Sequence, residues 1–114
     1  MKNLNTNLVL VNLTPHAINI VDSNGAYIQT IAPSGTIARV SSKVVAVGEV
    51  AGIPVTKTEF GDVENLPEQQ DGVVYITSMF IAQRCADRAD IFVPGEQVRN
   101  EAGQVVGCKS LSRV

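Results

Sequence analysis

Short apolar stretches with a period of two fill most of this chain, and one segment breaks to a longer period. "NLVLVNL" (7–13) is rich in β-formers and ends at Thr14-Pro15, where a residue without an N–H stops a ladder. "AINIV" (17–21) alternates, "DSNG" (22–25) is a turn, and "AYIQTIA" (26–32) returns, so residues 17–32 predict a hairpin. "TIARVSSKVVAVGEV" (36–50) predicts one long strand or two short ones. "AGIPVTKTEFG" (51–61) opens with a turn and gives another strand. "DVENLPEQQDG" (62–72) is a polar loop, and residues 97–114 predict a final hairpin around Glu101-Ala102-Gly103. With one helical segment, these elements predict an α+β fold: a mostly antiparallel sheet of about six or seven strands, with one main helix following a strand. Nothing suggests a repeat or an interdomain linker, so residues 1–114 are expected to form a single domain.

The helical segment is "VVYITSMFIAQRCADRAD" (73–90). The apolar run Val73–Ile76 meets Thr77 and Ser78, and from Met79 the period lengthens. At 100° per residue, Met79, Ile81, Ala82, Cys85, Ala86 and Ala89 share one face, and the charged residues share the other. Phe80 falls among the charges, with Arg84 only about 40° away on the wheel. Thr77 and Ser78 are both candidate N-caps, and no Glu or Gln completes a capping box. The free amides of a first helical turn attract anions. An aromatic ring for a base, with amides and Arg84 for a phosphate, would hold a nucleotide. The competing expectation is that Phe80 is covered by the 62–72 loop or by a second subunit, and that Arg84, Asp87 and Arg88 form a solvated ion-pair face.

Composition narrows the function classes. The chain has 114 residues, 45% of them hydrophobic, and a net charge of −2. That balance argues against broad DNA or RNA polymer binding, which needs a basic surface. No apolar run is long enough to span a membrane, and the apolar stretch in "MKNLNTNLVLVNLTP" is too short for a signal peptide. The two cysteines, Cys85 and Cys108, form no CxxC and no disulfide framework, so both are expected to be reduced. A cytoplasmic protein is the expectation.

Candidate chemistry is sparse. His16 is the only histidine, so no metal site is expected, and "TPH" more often marks a turn. Cys85 sits on the apolar helical face, so a Cys–His dyad is disfavoured and no catalytic residue is assigned. "PSGT" (33–36) is too short for a phosphate loop, and no cofactor is implied. Lys57, on an alternating strand, would face either solvent or an anion. Lys109, with Arg99 and Arg113, gives the last segment a basic end that could meet a phosphate or balance the acidic loop.

"VNLTPHAINI", "IAPSGTIARV", "LPEQQDGVVYITSMFIAQ" and "VPGEQVRNEAGQVVGCKSL" resemble a family of small bacteriophage and prophage proteins, over nearly the whole chain. Some members are similar, in size and in the "VYITS…A" segment, to the phage anti-Thoeris proteins, sponges that sequester cyclic ADP-ribose isomers at oligomer interfaces. The resemblance implies a non-catalytic homo-oligomer with Phe80 stacked on adenine and a polar residue about three turns on touching the ligand. Asp90 holds that place, although an acid suits a phosphate poorly. The resulting expectation is a protein, not an enzyme, that binds a nucleotide-derived small molecule through Phe80, Thr77, Ser78, Arg84, Asp90, Lys57 and Lys109. The alternative is a phage structural or host-interaction protein without a small-molecule ligand, in which Phe80 anchors an interface.

Overall fold

The computed structural model describes residues 8–114. Along the chain run β1 (Val9–Asn12), β2 (Ile18–Val21), β3 (Tyr27–Ile31), β4 (Arg39–Val50), β5 (Ile53–Glu64), β6 (Val73–Ile76), α1 (Met79–Arg84), β7 (Ile91–Pro94), β8 (Gln97–Arg99), β9 (Val105–Cys108) and β10 (Leu111–Ser112). Asn7, the expected start of the first strand, and residues 1–6, included in the comparison with a signal peptide, lie outside the described residues. Strands account for 51% and helix for 6%, so the fold is nearly all β and the expected α+β class is corrected. No helix among the described residues is long and apolar enough to cross a membrane.

The helix is where that expectation failed. It ends at Arg84, and the N–H of Cys85 turns back to the carbonyl of Ala82 at 3.0 Å. The apolar period continues to Ala89, but the backbone does not follow it. The Asp90 carbonyl accepts from the Tyr75 amide at 2.9 Å, which draws the chain down beside β6 to begin β7. Burial beyond the helix therefore reverses the wheel: Ala86 and Ala89 are exposed and Asp90 is buried.

One sheet has the order β1-β6-β7-β10 and the other β3-β2-β9-β8. Among the described strands antiparallel pairs predominate, four of seven, as expected, but the sheets are mixed. β1–β6, β6–β7 and β2–β9 are parallel. Parallel strands buried on both faces carry continuous apolar runs, which accounts for "VVYI". Alternate residues of β6 serve two cores. Tyr75 packs with Leu13, Ile81, Ala82, Ile91 and Val93 on the helix side, and Ile76 packs with Ile18, Ile31 and Cys108 on the side of the second sheet. The first sheet is thus the middle layer.

β4 and β5 pair only with each other among the described strands. They join through Ala51 and Gly52, both at positive φ, 51° and 79°. Only the base of this hairpin enters the core, through Val40 and Val63. The radius of gyration is 17.8 Å, against roughly 13 Å for a compact chain of this length. Most of this hairpin's residues are exposed.

Candidate functional site

The three parallel strands β1, β6 and β7 end on one side of the molecule, and the residues that follow or close them line a common groove. Thr14 and His16 come after β1, Thr77 and Ser78 after β6, and Pro94 closes β7. The opposite wall is Ile18 and Asn19 of β2, Gln97 of β8, and β9. The groove has a volume of about 440 Å³, within the roughly 300–1,000 Å³ of small-ligand sites. The carboxyl ends of parallel strands are a common place for ligands, because the backbone leaves the ladder there and frees side chains and amides.

The first wall is held by Asn12, which is almost fully buried. Its amide nitrogen donates to the carbonyls of His16 at 2.8 Å and Ile31 at 3.1 Å. Its side-chain oxygen accepts from the Thr14 amide at 2.9 Å and the Thr14 hydroxyl at 2.7 Å. One side chain therefore shapes the whole Thr14-Pro15-His16 turn. The backbone carbonyl of His16 fixes that turn, while the imidazole is exposed and has no hydrogen-bond partner among the described residues. On the opposite wall, Gly107 lets β9 lie close to β2, since a Cβ there would stand 2.5 Å from the Asn19 carbonyl oxygen. Among the described residues, the groove lining contains no carboxylate, lysine or arginine, and His16 is its only titratable side chain apart from the buried Cys108 thiol.

The expected site residues fall in separate places. Thr77 and Ser78 line the groove. Ser78 is the N-cap, its hydroxyl accepting from the Ile81 amide at 3.4 Å. Thr77 is fully buried, its hydroxyl donates to the Ser78 carbonyl at 2.9 Å, and its amide continues the ladder to Phe92. A helix of six residues sums few peptide dipoles, so the anion site expected at its N-terminus is weak.

Phe80 and Arg84 point elsewhere, onto the base of the long hairpin. The Phe80 ring lies 4.9 Å from that of Phe60, tilted by 60°. The Arg84 guanidinium carbon sits 5.4 Å from the Phe60 centroid and 5.5 Å from the Phe80 centroid. Phe80 is 42% exposed, so it is neither core nor an open stacking platform. Phe80→Ala removes a half-exposed ring, an aromatic pair and a cation–π contact. The expected loss is about 1–2 kcal/mol. A thermal melt should fall by roughly 4–10 °C, and a change under 2 °C would refute the packing role.

The remaining candidates are engaged or distant. Asp90 is buried in a two-pronged ion pair with Arg88, at 2.7 and 3.0 Å, and has no free edge for a ligand. Hydrogen bonding to Asp90 raises the Arg88 pKa further above its ordinary value. Lys109 pairs with Glu96 at 2.7 Å on the surface, next to but outside the groove lining. Lys57 lies on β5 opposite Val45, exposed on the hairpin.

Sequence reasoning missed Gln97 and Gly107 and assigned His16 only to a turn. The available signal was a polar turn after each of two β-rich runs, but it gains meaning only once those runs pair in parallel. No protein-family model matches this chain, and no curated protein or solved structure shows significant similarity to it.

Proposed function

We propose that this chain is a non-catalytic binding protein of phage origin that sequesters a nucleotide-derived immune signal, such as a cyclic ADP-ribose isomer or a cyclic oligonucleotide, in the host cytoplasm. The observation that supports it best is the groove at the ends of β1, β6 and β7. It is free of carboxylates although the chain is net acidic, so it does not repel a phosphate. The His16 ring offers a π face to a base. The Ser78 hydroxyl and Gln97 amide offer hydrogen bonds, and Ile18, Val105 and Val106 cover a ribose or base edge. The resemblance of the chain to the phage sponge proteins points the same way. The ligand then lies in the groove rather than against Phe80.

A panel of cyclic ADP-ribose isomers and cyclic oligonucleotides tests this by thermal melting. A ligand at 100 times its Kd should add about 2.7 kcal/mol and be recovered unaltered after heat release. His16→Ala and Gln97→Ala should lose the shift, and Phe80→Ala should keep it. Flat melts across the panel, or recovery of a cleaved ligand, would overturn the reading. The long exposed hairpin favours a second reading, a structural or host-interaction protein without a small ligand, and flat melts would favour it.

A further inference from the structure

We infer that the free edge of β5 is a seam for a second copy of this chain, paired antiparallel about a two-fold axis at Thr58. This inference goes beyond the groove and does not depend on a ligand. A two-stranded ribbon alone in water is marginally stable, yet β4 and β5 run for 12 residues each with only their base in the core. The ribbon leaves Val44, Val50 and Ile53 about two-thirds exposed. Its two edges differ. β4 carries an extra residue at Val47, where the register jumps between Ala46 and Gly48, and a bulge of this kind blunts an edge. β5 has its own extra residue at Gly61–Asp62, near the base, where the register jumps between Val40 and Ser42, but it is regular from Ile53 to Phe60.

The sequence of that regular run complements itself. Lys57 and Glu59 are exposed on the same face, and neither takes part in an ion pair among the described residues. Placing Thr58 opposite the partner's Thr58 sets Lys57 against the partner's Glu59, and Glu59 against the partner's Lys57. Opposite charges directly across an antiparallel pair are favourable, and like charges are not. Glu59 would then lie between Lys43 of its own ribbon, already opposite it, and the partner's Lys57. On the other face, Val44 and Thr58 meet the same pair across the axis, giving a four-stranded sheet in which two β-branched threonines lie between two valines. Slipping the register by two residues would place Lys57 against the partner's Lys57, or Glu59 against the partner's Glu59, so the charges select one alignment.

The experiment uses the full chain without ligand, in light scattering and sedimentation. The wild type should be a dimer or a higher assembly of dimers at micromolar concentration. Lys57→Glu and Glu59→Lys, each alone, should raise the dissociation constant at least tenfold. The double variant Lys57→Glu/Glu59→Lys should restore it to within about threefold. Thr58→Cys should form a covalent dimer on mild oxidation, and Ile53→Cys should not. A monomeric wild type would overturn the inference. So would a dimer indifferent to both single reversals, or one that Thr58→Cys fails to trap.

Discussion

Arg88→Ala is expected to cost about 3–5 kcal/mol, the penalty for stranding a buried charge. Asp90 is only 6% exposed, and both its oxygens are held by Arg88. The same guanidinium donates to the Pro67 carbonyl at 2.9 Å and lies 5.9 Å from the centroid of the Tyr75 ring. It therefore ties the loop after β5, which is shorter than the expected 62–72 because β5 runs to Glu64, to β6 and to the start of β7. Truncating it leaves a carboxylate in the interior and an unmet carbonyl. The melting temperature should fall by more than about 10 °C. Arg88→Met with Asp90→Leu removes both charges, so it should be less destabilising than Arg88→Ala alone. Measuring both variants separates desolvation of Asp90 from lost packing. Equal losses would show that the stranded Asp90 carboxylate adds no cost of its own.

That pair also marks the limit of the sequence reading. The helical period places Arg88 on a solvated face, and the family resemblance places Asp90 at a ligand about three turns beyond Phe80; both need a helix that continues to residue 90, and α1 ends at Arg84. Apolar residues at helical spacing after Arg84 favoured continuation, but Asp90 must lie beside Tyr75 for the β6–β7 ladder to form. The tertiary pairing overrode the local period. Where local chemistry decides, the reading was sound. Asn24-Gly25 turns β2 into β3, and the turn around Ala102-Gly103 joins β8 to β9. The largest hairpin was legible only in its parts, as a β-rich stretch, a turn and a strand. Its turn is Ala51-Gly52, and an alanine at positive φ is not a sequence signal for a two-residue hairpin loop. The groove was illegible for a different reason. It exists because β1 and β6, more than 60 residues apart in sequence, lie parallel, and no pattern within either strand specifies that neighbour.

Asn12 is the residue through which that non-local pairing shapes the groove. Its backbone belongs to β1 beside Ile76 of β6, its carbonyl accepts from the Ser34 amide at 2.9 Å, and its side chain closes the Thr14–His16 turn. Asn12→Ala deletes both side-chain acceptor and donor. The Thr14 amide, the Ile31 carbonyl and the His16 carbonyl lose a partner together. At about 1–3 kcal/mol for each buried group left unmet, with water reaching the more exposed turn, the expected net cost is about 2–4 kcal/mol. Asn12→Asp keeps the acceptor for Thr14 but replaces an amide donor with a carboxylate facing two carbonyl oxygens, so it should be at least as harmful. The groove supplies a second readout. With the turn released, the His16 backbone is no longer held at the groove wall, so any ligand shift seen in wild-type melts should vanish in Asn12→Ala even at temperatures where the variant is folded. A variant that loses stability but keeps the full ligand shift would place the binding residues elsewhere and confine Asn12 to a structural role.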